Sequence, residues 1–246
     1  FEDNGLINSV IVDQAMRCGM SWDLSEAIAA RAMCHAENSY FIKNMRITSH
    51  RLKTNTQSNT AFRGFGGPQG IVGMERVIDH VAYHLNIDPL LVRERNFYPH
   101  KTSTEYGKTP YGQTVHDCVI QDIISELKKT RNYFERRQSI EKFNKNNVFL
   151  KSGVALTPVK FGISFNASFL NQAGALLHVY NDGSVYLNHG GTEMGQGLNT
   201  KIAQIVANEF KLPLNKIKIT ATSTGKVPNT SATAASSGSD LNGMAA

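Results

Sequence analysis

The chain has 246 residues, 41% of them hydrophobic, and a formal net charge of +6. That length admits one large or two modest domains, and no apolar run reaches the roughly 18 residues of a membrane span. Cys18, Cys34 and Cys118 are odd in number and scattered, which excludes a disulfide framework and a cysteine-ligated zinc or iron–sulfur site and fits a reducing, cytoplasmic compartment.

The N-terminus, Phe1-Glu2-Asp3-Asn4, lacks an initiator Met and a basic region before an apolar stretch, so it is not a signal peptide. It points to a piece of a longer chain. Residues 7–13 predict a short strand. Asp23 is expected to cap a helix, with Glu26 completing a capping-box pattern and Arg31 near its C-terminal end. A strand-like segment follows from Asn44 to Asn55. The next residues, 63–70, hold one Arg, one Phe and the glycines Gly64, Gly66, Gly67 and Gly70. Glycine permits positive φ and close backbone approach at an entropic cost, so this loop reads as ligand-shaped. If it is extended, Arg63 and Phe65 project to the same side. Phe65 then either stacks on a flat ligand ring or plugs the turn as a core residue. The spacing fits neither the phosphate-binding loop nor the dinucleotide fingerprint.

From Gln69, Ile71, Met74, Ile78, Val81, Ala82 and Leu85 recur at helical period, and Asn86 ends the helix. Asp88-Pro89 marks a cap with Pro at the first position of another helix, ending near Asn96. His80 and His84 are read as a solvated pair rather than a metal site. Residues 98–113 predict an irregular connection, followed by helices over 116–129 and 133–145. The run from Lys128 to Lys145 reads as a solvated helical face. The polar stretch Asn144 to Asn147 is the expected boundary, giving domains 1–146 and 147–246.

In the second half, residues 152–165 predict a strand. Ala173 to Tyr180 and Ser184 to His189 predict a hairpin around Asn181-Asp182-Gly183. A second glycine-rich turn, Gly190 to Gly197, precedes a helix with Ile202, Ile205, Val206, Ala207 and Phe210 on its apolar face. Gln196 lies between two glycines at the helix start, where unpaired N–H groups and the positive helix end suit an anion or a pterin. Glu193 is either a general base or a favourable charge at the helix N-terminus. Lys216 to Ala221 predicts a strand. Lys226 is expected to be solvent-exposed. Thr233, Ser236, Ser237 and Ser239 offer uncharged donors that suit phosphate, or else form a polar linker. The chain stops within a helix begun near Ser239, again as a fragment would.

At these loops the sequence resembles the molybdenum-domain signature of the xanthine dehydrogenase family. The resemblance rests on Thr54 to Gly70, Lys160 to Phe165, Leu170 to Ala175, His189 to Gly197 and Val227 to Ser236, in that family's order. It implies an α+β fold of two molybdopterin-binding subdomains, both incomplete in this chain. It also implies a molybdopterin cofactor carrying molybdenum, and hydroxylation of hypoxanthine or xanthine with water as the oxygen source. In the family, electrons leave through iron–sulfur clusters and FAD to NAD, all bound outside this chain. The implied partners are a purine substrate, the rest of the molybdenum subunit and the iron–sulfur and FAD domains or subunit, in an oligomeric parent. Neither nucleic acid nor membrane is implied.

Carried over, Phe65 and Phe165 resemble the two rings that sandwich the purine. Asn166 stands where the family is expected to have Thr in the substrate pocket. Arg31 resembles the arginine that polarises a purine oxygen and stabilises charge on the ring, and it favours the xanthine branch over aldehyde oxidases. Phe62 and Arg63 belong to the loop beside molybdenum, with Arg63 not a side-chain ligand. Gly195 and Gln196 resemble the pterin grip, and Ala235, Ser236 and Ser237 the segment near the cofactor's phosphate end. The family's first molybdenum loop, with its substrate-binding Glu, is expected upstream of Phe1. Its Gly-Glu-Pro-Pro base is expected beyond Ala246. The alternatives are an aldehyde-oxidase-type hydroxylase and a basic nucleotide- or nucleic-acid-binding module without catalysis.

Overall fold

The computed structural model describes residues 1–225 and 230–246. Lys226 and the Val227-Pro228-Asn229 start of the last motif lie outside the described residues. Two compact units form, Phe1–Phe161 and Gly162–Ala246. This division falls beyond the 146/147 boundary read from the sequence, because Val154 and Leu156 pack against the core of the first unit.

In the first unit, strand β1 (Ser9–Gly19) runs parallel to β2 (Asn44–Lys53), with Ser9 opposite Asn44. Parallel neighbours need a crossover, and helix α1 (Ser25–Cys34) supplies it. The capping box is not formed. Leu24 precedes the helix without a side-chain cap, and Asp23 has φ of 41°, so Asp23 turns the chain one residue too early to cap it.

Helix α2 (Gly67–Leu85) buries Met74, Ile78, Val81 and Ala82 and stops at left-handed Asn86, φ 54°. Asp88 accepts the Leu90 N–H at 2.8 Å at the start of α3 (Pro89–Asn96). This is the cap that the Asp-Pro pair specifies, worth about 1 kcal/mol. Helices α4 (Ile120–Thr130) and α5 (Tyr133–Asn146) follow, anchored to the core by Ile124 and Tyr133. His80 and His84 are both exposed.

The core of this unit also holds a polar network. Arg93, 2% exposed, donates to Glu75 at 2.8 Å and to Asp79 at 2.8 Å. Burial works against the guanidinium's charge, but Glu75, Tyr40 and Asp79 together outweigh it and hold the Arg93 pKa above its ordinary value. Glu75 also accepts from the Tyr40 hydroxyl at 2.6 Å and the Asn38 amide at 2.8 Å. Asn38 donates in turn to Pro158 O at 3.0 Å and accepts the Lys160 N–H at 3.1 Å. These bonds explain why residues 152–165 are not a strand. Val154, Leu156, Pro158 and Lys160 are more buried than the residues between them, but the backbone at Pro158 and Lys160 bonds the Asn38 side chain rather than a neighbouring strand.

In the second unit, β3 (Ala175–Val179) and β4 (Val185–His189) form the expected antiparallel hairpin, with Gly183 at φ 77° in the turn. Helix α6 (Leu198–Phe210) crosses to β5 (Ile217–Ile219), which pairs parallel to β4. The buried face of α6 is Leu198, Ile202, Ala203, Val206 and Ala207. Phe210 is 45% exposed and does not join it. Ile205 instead faces Gly243 on α7 (Gly238–Ala245), where a Cβ would approach its Cδ1 to 2.6 Å. Among the described residues no helix is long and apolar enough to cross a membrane.

Candidate functional site

The first glycine loop is a chain of tight turns, not an extended segment. Phe65 N–H donates to Phe62 O at 2.8 Å and Gly67 N–H to Gly64 O at 3.0 Å. Phe65 itself has φ of 52°, a left-handed conformation that costs a bulky residue about 1–3 kcal/mol and concentrates at functional sites. The same-side projection of Arg63 and Phe65 therefore loses its premise. Phe62 is 82% exposed, Arg63 is exposed and Phe65 is half-buried.

The glycines serve chain packing first. A Cβ on Gly66, whose φ is 98°, would lie 2.1 Å from Ile28 O, and one on Gly70 would lie 2.3 Å from Ala32 O. Both oxygens belong to α1, so the loop and the start of α2 sit directly on the turn that carries Arg31. Replacing Gly66 with Ala adds a left-handed penalty and a backbone overlap, an expected loss of about 1–3 kcal/mol. Urea unfolding of wild type and variant measures it.

Arg31 is 5% exposed. Burial pulls its pKa down, which Cys34 partly offsets. Its guanidinium lies 5.4 Å from the centroid of the Phe161 ring. His35, one turn on, is buried. Its Nδ1 is 2.7 Å from Arg31 O, and its ring centroid is 4.9 Å from that of Phe161. Burial depresses the His35 pKa. Beside them, fully buried Glu37 pairs with Lys160. Burial raises the Glu37 pKa and the lysine only partly offsets that. Sequence reasoning did not single out Phe161, although it lies within the quoted Lys160 to Phe165 motif.

In the second unit an open cleft of about 320 Å³ separates the second glycine loop from the 233–239 segment. Gln196, Lys201, Thr233, Ala234, Ser236 and Ser239 are among its lining residues. Thr192 N–H donates to Thr233 Oγ1 at 2.9 Å, tying the two walls together. Ala235 and Ser236 both hold φ of 56°, strained for side-chain-bearing residues. Ser237 is buried and its hydroxyl donates to Ala234 O at 3.1 Å, so it closes the turn rather than facing the cleft. Phe165 is half-buried and Asn166 exposed. Phe165 N–H donates to Asn171 Oδ1 at 2.8 Å and its carbonyl accepts from Asn171 Nδ2 at 2.9 Å. Ser164 N–H donates to Ala235 O at 2.8 Å, so the turn before Phe165 is joined to the strained pair.

The helix N-terminus is not an open anion site. Glu193 accepts from Gly195 N–H at 2.8 Å, Gly197 N–H at 2.9 Å and Asn199 N–H at 3.0 Å. Of its two sequence readings, the charge at a helix start is the one observed. These amide bonds, that of Asn199 foremost, hold its pKa below the ordinary carboxylate range. A lowered carboxylate pKa means the turn's support is present above the ordinary range and lost as pH falls through the lowered value. The protection factor of the Gly197 amide, its exchange rate corrected for intrinsic pH dependence, is therefore expected to fall on acidification, and Glu193→Gln to flatten that profile.

The cleft chemistry fits a neutral heterocycle with an anionic end. Gln196 accepts from Met194 N–H at 2.6 Å and donates to Thr192 O at 2.9 Å, and its NH₂ carries a second donor hydrogen. The Thr233, Ser236 and Ser239 hydroxyls and the Lys201 ammonium supply the rest. Lys201 escaped the sequence reading because its only signal is its place one turn into α6. Among the described residues no group of three His, Cys, Asp or Glu could hold a metal ion directly.

Family profiles for the molybdopterin cofactor-binding domain match residues 1–97 and 126–246. Xanthine dehydrogenase of Dictyostelium discoideum is 46% identical over 245 residues, 100% of this chain and 18% of that protein. Xanthine dehydrogenase of Blastobotrys adeninivorans is 50% identical over 228 residues, 92% of this chain and 16% of that protein. The chain thus spans under a fifth of the length of these relatives. In fold it is similar to quinoline 2-oxidoreductase from Pseudomonas putida 86, with a TM-score of 0.79 at 22% identity, over 100% of this chain and 32% of that one. With the cofactor-binding profiles matching both halves and the identity running end to end, the chain belongs to the molybdopterin cofactor-binding domain family found in xanthine dehydrogenases.

Proposed function

We propose that this chain is part of a cytoplasmic molybdenum hydroxylase that oxidises hypoxanthine and xanthine to urate, with water as the oxygen source. In this reading it works beside the rest of its molybdenum subunit and with iron–sulfur and FAD domains or a separate subunit, in an oligomer that passes electrons to NAD. The observation that carries the reading is the 46% identity to a xanthine dehydrogenase along the whole chain. Bound molybdopterin supplies the metal that takes up the substrate's two electrons and delivers the oxygen.

This chain's own residues bind and orient. Arg31 donates to an oxygen of the purine and stabilises negative charge as it grows on the ring, a preorganised electrostatic role. Its burial strengthens that interaction, because fewer waters compete. Phe65 and Phe165 hold the flat ring by stacked and edge contacts, with Asn166 at the rim. Asn171 fixes the backbone of Phe165. Gly195 and Gln196 grip the pterin. Ala235, Ser236 and Ser237 shape the wall near its phosphate end, and Phe62 and Arg63 flank the metal. The chain contains no Gly-Glu-Pro-Pro segment, so the general base comes from elsewhere in the enzyme and this chain alone is inactive. Measuring molybdenum, pterin and urate formation in the full-length enzyme tests the reading. Absence of pterin, or turnover of aromatic aldehydes without purine turnover, would contradict it.

A further inference from the structure

We propose that Phe161 is a positioning residue for Arg31, a claim that rests on reading Arg31 as the substrate arginine. The Phe161 ring touches three pieces of the site in the first unit. The Arg31 guanidinium lies 5.4 Å from its centroid. The His35 ring approaches at 4.9 Å, tilted by 47°. The glycine loop meets its edge, since a Cβ on Gly67 would stand 2.5 Å from Phe161 Cε2.

The ring is itself held in place by the segment before it. Lys160 pairs through its ammonium with fully buried Glu37. Its N–H donates to Asn38 Oδ1 at 3.1 Å, and Asn38 Nδ2 donates to Pro158 O at 3.0 Å. Glu37 and Asn38 lie in the turn that follows α1, so the end of the helix that carries Arg31 also anchors the segment that carries Phe161. His35 closes the loop, with Nδ1 2.7 Å from Arg31 O.

An arginine side chain has many rotamers, and holding one of them before substrate arrives lowers the cost of binding. An aromatic face does this without competing as an acceptor for the guanidinium N–H groups, attracting the cation through its quadrupole instead.

The test uses full-length holoenzyme with Phe161→Leu, Phe161→Tyr, Arg31→Met and the Phe161→Leu/Arg31→Met double variant. Phe161→Leu is expected to lower kcat/KM for xanthine about three- to tenfold, the scale of a cation–π contact between buried Arg31 and a ring left 37% exposed, with molybdenum and pterin content unchanged. Phe161→Tyr, which keeps the ring face, is expected to stay near wild type. In the Arg31→Met background the leucine change is expected to add no further loss. If leucine lowers cofactor content, Phe161→Met carries the same expectation at nearly conserved volume. Additive losses, or equal losses on xanthine and on an aromatic aldehyde, would overturn the positioning role while leaving Arg31 its own. If Arg31→Met leaves xanthine turnover intact, the reading of Arg31 falls first and the positioning role with it.

Discussion

Replacing Arg31 with methionine in the full-length enzyme is expected to lower kcat/KM for xanthine by about 10²- to 10³-fold, the loss seen when one preorganised donor to developing charge is removed. Three features set the size of the effect. Arg31 is 5% exposed, so its interactions are only weakly screened. It stands against an aromatic ring at 5.4 Å, so it is not free to swing. Its helix is pinned to the glycine loop at Ile28 and Ala32 by contacts that tolerate no Cβ. Methionine keeps the volume and a sulfur that packs on Phe161, so the fold should survive. An aromatic aldehyde has no ring oxygen for Arg31 to hold, and its turnover should change far less. Steady-state kinetics on both substrates, at equal molybdenum content, read the difference.

Replacing Arg93 with methionine is expected to destabilise the first unit by about 3–5 kcal/mol, the cost of leaving a buried partner charge uncompensated. Glu75 would keep Tyr40 and Asn38 as partners but lose the cation it pairs with. Tyr40 is itself buried, and burial and Glu75 already push its pKa upward. The damage should spread along the network. Asn38 holds both Pro158 O and the Lys160 N–H, so loosening it frees the segment leading to Phe161. Hydrogen exchange of the Phe41 amide, which bonds Asn96 O at 2.8 Å, reports the local opening. Adding Glu75→Gln should recover part of the loss, because the two residues share one network.

Much of this fold was legible where local chemistry decides it. Asp88-Pro89 and Asn86 mark α3 and the end of α2 because a cap and a left-handed stop are local events. The Asn181-Asp182-Gly183 turn fixes its hairpin for the same reason. The failures come from partners distant in sequence. Residues 152–165 alternate like a strand, yet among the described residues none of them pairs with a strand, and the backbone bonds at Pro158 and Lys160 go to the Asn38 side chain. The face of α6 was misassigned at Ile205 and Phe210 because both stay exposed, Ile205 at 36% with only its tip against Gly243 of α7, and Phe210 at 45%.

The candidate site divides in the same way. The glycine motifs locate the loops, but their spacing does not say that Gly66 and Gly70 are there for α1. Nor does it say that Glu193 takes the amides a ligand was expected to use. Arg31 was found through resemblance. Its ring partner was not, since Phe161 stands 130 positions away along the sequence and only folding brings them together.

A structure of the intact enzyme with a purine bound is the most direct measurement. Expected is the Arg31 guanidinium at about 3 Å from a purine oxygen, with the Phe65 and Phe165 rings about 4.5–7 Å from the purine centre. A purine bound away from Arg31, or contacting neither ring, would contradict the site assignment.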